Sequence, residues 1–401
     1  MSHPFDKLTA GQLQERPSLK WQYFGEDVLA AWVADMDFPP AQEIFAGMAK
    51  YAAMGDLGYP PMEGLPGLRE ALVDRLQERY GLEVPAQNIL PVSGIIPGLY
   101  TATRVLAGPG EGVIVQPPVY PPFYSAVTDN HRVLVHNPMV ETEDGWRLDL
   151  EGLEKVITPS TRLLMLCNPH NPTGRVFSRE ELTGLAAIVT RHRLWVVADE
   201  LHADLTLEGR FQPFAGISEE AAMRTLTLYG PTKAFNIAGL KIGFLFSHND
   251  EIVELVRGAM EGVVTPPNVL AQAAAMAAYR QAGGWLDDTL EYLRGNARFV
   301  ARYVEEKLPG VRLHPGEATY LAWLDFRALN LDEPAAHYLL ETAKVALNPV
   351  ESFAPEQPEF EGFARLNFAT SRGILEEMLE RIRTALEAAQ PAAGAGGAAS
   401  R

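Results

Sequence analysis

Three segments carry side chains whose types and placement could do chemistry. In the first, the β-rich run Thr225–Tyr229 leads into Gly230-Pro-Thr-Lys233 and then into Ala234-Phe-Asn-Ile-Ala-Gly-Leu240. A lysine among apolar neighbours has its ammonium form disfavoured, which prepares the amine for Schiff-base chemistry. The plainer alternative is a lysine whose stem lies on apolar surface while its charge reaches water. The second segment is Val196-Val-Ala-Asp199-Glu-Leu-His202-Ala-Asp204. Asp199 at a strand end could pair with a protonated ring nitrogen, or simply cap a helix. Asp199, His202 and Asp204 are also three possible metal ligands, although their spacing matches no ligand motif and no metal is expected. The third is Asn168-Pro-His-Asn171-Pro-Thr-Gly174, directly after the apolar run Leu163–Cys167. Two Asn-Pro pairs make a stiff turn. Asn171 either completes that turn or presents its amide to a ligand oxygen.

These segments need strands that end beside one another. Val113–Gln116, Arg132–His136, Leu163–Cys167, Leu194–Ala198, Thr225–Tyr229 and Gly243–Phe246 read mostly as continuous apolar runs, the pattern of strands covered on both faces. Amphipathic stretches separate them. One is Arg179–His192, opened by Ser178 with Glu181 three residues on, a capping box. The alternation argues a layered α/β domain, and ligands of such open sheets bind at the carboxyl edge of the strands. After residue 250 the pattern changes: helices at Ile252–Met260, Asn268–Gln281 and Trp285–Leu308, a strand at Tyr320–Phe326, a helix at Pro334–Lys344, a strand at Ala364–Phe368 and a helix at Ile374–Ala388. That is a second, smaller α+β unit.

Composition removes several function classes. With 34 Lys and Arg against 51 Asp and Glu the net charge is −17, a field that repels nucleic-acid phosphates and anionic membranes. A single cysteine, Cys167, excludes an internal disulfide framework and a Cys-rich zinc site. The opening residues have no apolar run behind a basic start, and the longest apolar candidate, Ala271–Tyr279, falls well short of the ~18 residues that span a bilayer. A cytoplasmic protein with neither nucleic-acid nor membrane partner is therefore expected. No GxGxxG opens a helix after a strand. Gly230-Pro-Thr-Lys233 ends like a P-loop, but Thr225 stands where its first glycine belongs.

A candidate Schiff-base lysine, a strand-end aspartate and a strand-end asparagine, in the chain order Asn–Asp–Lys, form a constellation suited to pyridoxal 5′-phosphate. On these segments the chain resembles the fold-type I, class I/II aminotransferase superfamily of pyridoxal-phosphate enzymes. Within it the chain is similar to the MalY/PatB-type branch of cystathionine β-lyases. The branch-level motifs are Trp32-Val-Ala-Asp-Met-Asp-Phe38, Gly58-Tyr-Pro60, Ser93-Gly-Ile-Ile-Pro-Gly98, Asp199-Glu-Leu-His202, Lys233-Ala-Phe-Asn-Ile-Ala-Gly-Leu240 and Arg365-Leu-Asn-Phe-Ala369. The resemblance spans about residues 20 to 388.

The resemblance implies a fold and a set of roles. The fold is α/β, with a mostly parallel seven-stranded sheet in a large cofactor domain (46–284) and a smaller α+β domain (285–388). Residues 1–45 would pack with the small domain, and the low-complexity tail 389–401 is expected to be disordered. Lys233 would hold the cofactor as a Schiff base and act as base at Cα. Asp199 would pair with the ring nitrogen, Asn171 would donate to the ring oxygen with His202 nearby, and Tyr120 would stack on the ring. The N–H groups of Gly94 and Ile95 would hold the phosphate, assisted by Thr232 and Lys241, with Tyr59 reaching across a homodimer interface. Arg365 would take the substrate carboxylate near Ala34 and Asp35. The implied activity is β-elimination from L-cystathionine or another cysteine S-conjugate. An aminotransferase differs only in where the proton returns, and a regulatory protein acting through contacts is a further alternative. Three departures stand out: Gly230 where many members have Ser, Lys241 where many have Arg, and four glutamates in the loop 350–362, which reads as a solvated loop.

Overall fold

The computed structural model describes residues 3–143, 145–314 and 316–389. Most of the tail expected at 389–401 lies outside the described residues. The chain divides into two units, one of Phe38–Leu293 with Gly316–Tyr320, the other of Met1–Asp37, Arg294–Pro315 and Leu321–Arg401.

The first unit is built on seven strands: β1 (Ile89–Val92), β2 (Gly112–Val115), β3 (Val133–His136), β4 (Thr161–Cys167), β5 (Trp195–Asp199), β6 (Thr225–Tyr229) and β7 (Gly243–Phe246). Their order is β1-β7-β6-β5-β4-β2-β3. β7 runs antiparallel to both neighbours, and every other pairing is parallel. The carboxyl ends of β1, β2, β4, β5 and β6 therefore share one edge, where β7 begins. Every residue of β2, β6 and β7 is buried, as the continuous apolar runs of β2 and β7 require and with Thr225 and Thr227 of β6 buried as well, while the edge strand β3 is partly exposed. The core packs Leu99, Phe123, Val127, Ile252 and Val256 with Val113, Met165, Val197 and Leu245. The capping box holds as expected: Ser178 Oγ accepts the Glu181 N–H at 3.1 Å and opens the helix Arg179–His192. β1 is the strand of this seven-stranded sheet missing from the sequence expectation.

In the second unit, β8 (Arg312–Leu313), β9 (Leu321–Asp325), β10 (Asn348–Pro349) and β11 (Phe363–Asn367) form an antiparallel sheet in the order β8-β9-β11-β10. Leu29–Ala30 pairs in parallel with Val345–Ala346, which makes the N-terminal segment part of this unit. The helix Arg372–Ala389 buries Ile374, Met378, Leu379, Ile382 and Leu386 at helical spacing. In the loop after β10 all four glutamates, Glu351, Glu356, Glu359 and Glu361, are exposed. Phe353, Ala354 and Phe360 are buried, so this segment is a packed turn with an acidic outer face rather than a wholly solvated loop.

Candidate active site

Cys167, Asp199 and Leu228 stand side by side on β4, β5 and β6. The Asn168–Gly174 turn, the Asp199–His202 turn and the turn carrying Lys233 thus leave one edge of the sheet as neighbours. The Asn168 N–H donates to the Asp199 carbonyl at 3.0 Å, and the Glu200 N–H donates to the Leu228 carbonyl at 2.9 Å. Tyr120 follows β2, is half-buried and packs on the core. Asn171, Thr232 and His202 are buried, the last edge-on to Tyr320 at 6.3 Å.

Asp199 is 6% exposed. Its Oδ1 accepts the Leu201 N–H at 3.1 Å, and Oδ2 has no hydrogen-bond partner among the described residues. Burial raises its pKa to about 6, against the opposing pull of the Leu201 N–H and the Lys233 charge. Glu200 is pushed further, to about 8. Burial dominates, the Phe214 N–H on Oε1 at 2.8 Å pulls back, and the Asp199 charge adds to the rise.

These two acids make a contribution of fixed sign to the pH dependence of the cofactor-free chain, opposed below about pH 6.5 by the buried His170, whose pKa burial lowers to about 3. Both hold their protons more tightly when folded than at their ordinary values near 4. From about pH 4 upward the unfolded chain releases those protons first, so the contribution of these two acids to stability falls until pH passes the folded values. Of the two, Glu200 is the one that still holds its proton through most of the range between about 6 and 8. Glu200→Gln is therefore expected to flatten the decline across that upper window, measured as urea-unfolding free energy against pH. An unchanged slope would mean that Glu200 is already ionised there.

The helix α1 (Ile95–Leu106) begins directly beyond β1. Its N-cap is Gly94 at φ 121°, a conformation that favours glycine, and no side chain caps the helix. The Ile95 and Ile96 N–H groups open the first turn, a ready anion site. A Cβ at Gly243 would lie 2.6 Å from Ile95 Cδ1, and one at Gly230 would lie 3.3 Å from both the Ile242 carbonyl oxygen and the Gly243 Cα. These glycines let the exit of β6, the entry of β7 and the start of α1 close up. At Gly230, where many superfamily members carry serine, the backbones of the β6 exit and the β7 entry approach closely.

Lys233 is half-buried. Its turn is tied by Phe235 N–H to the Pro231 carbonyl at 2.9 Å and by Ile237 N–H to the Thr232 carbonyl at 3.0 Å. Asn236, left-handed at φ 54°, donates from Nδ2 to the Phe38 carbonyl at 2.6 Å. Lys241 is exposed at the start of β7. Tyr59 is fully exposed in this chain, beside the exposed Leu57 and Met62. The remaining site candidates belong to the other unit. There Ala34 is buried, and the Asp35 carbonyl accepts from Asn367 Nδ2 at 2.7 Å and Lys20 Nζ at 3.0 Å. Arg365, 3% exposed, donates from Nη2 to the Trp32 carbonyl at 2.8 Å.

Asp204 takes a part that its side chain alone did not announce. Its carboxylate accepts from Tyr80 Oη at 2.6 Å and Tyr229 Oη at 2.8 Å, and pairs with Arg75 Nη2 at 2.8 Å. Both oxygens are engaged, so this carboxylate ties the end of the Asp199–His202 turn to β6 and to the helix Leu68–Tyr80, and is not presented to a metal. Burial and the Asp204 charge push both phenols well above their ordinary range, so they remain donors.

The residues at the sheet edge fit pyridoxal phosphate: a buried carboxylate with an unpaired oxygen for a cationic ring nitrogen, an uncapped helix terminus for a phosphate, and a lysine whose charge the carboxylate feels. The family model for aminotransferase class I and II matches residues 33–382. Cystathionine beta-lyase PatB of Bacillus subtilis is 36% identical over 382 residues, covering 92% of this chain and 96% of that protein. A cystathionine beta-lyase of Corynebacterium glutamicum is 34% identical, covering 94% of this chain and 98% of its own length. Among solved structures, cystalysin of Treponema denticola, which contains a pyridoxal 5′-phosphate cofactor, superposes with a TM-score of 0.90 at 30% identity, covering 97% of this chain and all of its own. The chain belongs to the aminotransferase class I and II family.

Proposed function

We propose that this chain is a pyridoxal-phosphate-dependent carbon–sulfur lyase, acting on L-cystathionine or another cysteine S-conjugate to release a thiol, pyruvate and ammonia. The observation that carries it is the buried Asp199 carboxylate, one oxygen unpaired, at the strand edge shared with Lys233 and the open end of α1. Relatives carrying the cystathionine β-lyase name, at 34–36% identity over nearly their whole length, support this choice of reaction. When bound, the cofactor supplies an electron sink for the pair left at Cα.

The residues divide the remaining work. The α1 terminus, with Thr232 and Lys241, would take the phosphate. Asn171 would donate to the ring oxygen, with His202 nearby, and Tyr120 would stack on the ring. Asp199 would keep the ring nitrogen cationic. Arg365 takes the substrate carboxylate as a two-pronged fork near Ala34 and Asp35. Lys233 Nζ removes the Cα proton. As the Cα–Cβ double bond forms, the C–S pair leaves with the thiolate, and the released enamine hydrolyses to pyruvate and ammonia. Cys167 is a free thiol, in keeping with work in the cytoplasm. The proposal includes a homodimer in which Tyr59 serves the partner's phosphate site; the apolar side chains Met54, Leu57 and Met62, close to it in sequence, are exposed in the single chain.

The test is pyruvate release from purified protein with a panel of cysteine conjugates, with and without a 2-oxo acid. Pyruvate from cystathionine without a 2-oxo acid is expected. Amino-group transfer without pyruvate would make the protein an aminotransferase. Sedimentation is expected to give a dimer mass, and a fully active monomer would remove Tyr59 from the site.

A further inference from the structure

The guanidinium of Arg365 is buried, and something must make that charge tolerable and hold its plane. Arg365 lies on β11 directly opposite Trp323 of β9 and opposite Asn348 of β10. Residues paired across antiparallel strands share a face, so Arg365 and Trp323 project together. The chain leaves β10 at Pro349 and turns back at once. Val350–Ser352 is a single 3-10 turn, closed by Phe353 N–H to the Val350 carbonyl at 2.8 Å. That turn lays Phe353, with no exposed surface, onto this face of the sheet. The Arg365 Cζ sits 4.7 Å from the Phe353 ring centroid, and the ring meets Trp323 edge-on at 5.5 Å. A cation over an aromatic face at this distance is held electrostatically, and more strongly where water is excluded. The Trp32 carbonyl, 2.8 Å from Nη2, fixes the guanidinium from another side.

We propose that Phe353 is a positioning residue for substrate-carboxylate recognition: its ring carries the Arg365 guanidinium and sets the plane of the fork. This rests on Arg365 being the carboxylate site, as proposed above. It also gives the acidic loop a function, because the turn that exposes Glu351 is the one that buries Phe353. Fork geometry matters because a guanidinium binds a carboxylate through two parallel hydrogen bonds, which a tilted plane cannot make together.

The experiment uses the holoenzyme. Phe353→Leu keeps an apolar side chain but removes the ring, and KM for cystathionine is expected to rise about 3- to 30-fold with kcat within about twofold. A second readout needs no turnover. 2-Aminoisobutyrate has no Cα proton, so its binding can be titrated through the cofactor absorbance, beside its amide, which lacks the carboxylate. The variant is expected to lose affinity for the acid by a similar factor and to bind the amide as the parent does. Equal losses for acid and amide, or no loss for the acid, would overturn the proposal. Arg365→Lys separates this from the underlying reading. If it leaves the acid affinity unchanged, the carboxylate role of Arg365 itself fails. If it weakens the acid while Phe353→Leu does not, only the role of Phe353 fails. Should the leucine variant not fold, Phe353→Met is expected to give the same acid-specific loss, and its absence would count equally against the proposal.

Discussion

Replacing Lys233 by alanine is expected to abolish elimination and to remove the covalent attachment of the cofactor. The prediction is large because one amine serves two roles. On the proposed roles it anchors the cofactor and takes the Cα proton; a positioned acid–base group alone contributes about 10²–10⁴ in rate. Losing both should bring turnover below about a thousandth of the parent. The fold should survive. The turn is held by main-chain hydrogen bonds from Phe235 and Ile237 and by the Asn236 amide on the Phe38 carbonyl, none of which uses the Lys233 side chain. Lys241, the other lysine near this edge, is exposed, so no substitute amine is held in the same surroundings. Borohydride reduction followed by peptide mapping checks the assignment. Cofactor fixed to the alanine variant at parental stoichiometry would mean that another lysine carries the chemistry.

The parts of this protein that were legible in its sequence are those set by local chemistry. Continuous apolar runs identified strands covered on both faces, and β2 and β7 are wholly buried. Ser178 with Glu181 announced a helix start because a capping box is complete within four residues. The site turns were legible for the same reason: each follows an apolar run, and parallel strands bring such turns to one edge. β1 was not legible. It is a four-residue edge strand with Pro91 inside it, and a proline missing its N–H normally argues against a strand.

What escaped the sequence depends on partners far along the chain. Asp204 could be weighed as a metal ligand because nothing near it reveals Arg75, 129 residues away, or Tyr80, 124 away. The acidic loop shows the converse. Its four glutamates dominate the composition and point to solvent, while the useful signal was the spacing of Val350, Phe353 and Ala354, which buries one face of a helical turn. Glu200 was similarly hidden beside Asp199, since a buried acid and a surface acid are the same letter.

Asp199→Asn is the second large effect and the sharper test of electronic role. The amide is nearly isosteric, and its oxygen can still accept the Leu201 N–H that Oδ1 takes at 3.1 Å, so the turn and the strand end should persist. What disappears is the charge. In the parent, burial raises this acid to about 6, yet above neutral pH it remains an anion beside Lys233, and a cationic ring nitrogen would hold it there more firmly. On the proposed role, the ring nitrogen would lose its reason to stay protonated without the anion, and the pair left at Cα would lose its sink. That interaction strengthens as charge develops, so its loss falls on the transition state more than on binding. Removing one such preorganised stabiliser costs about 3–4 kcal/mol, roughly 10²–10³ in kcat. The measurement is turnover of the asparagine variant with cofactor occupancy read from absorbance. A helix cap would predict almost no change, because asparagine caps as well as aspartate. A loss smaller than about threefold at full occupancy would therefore return Asp199 to a structural role.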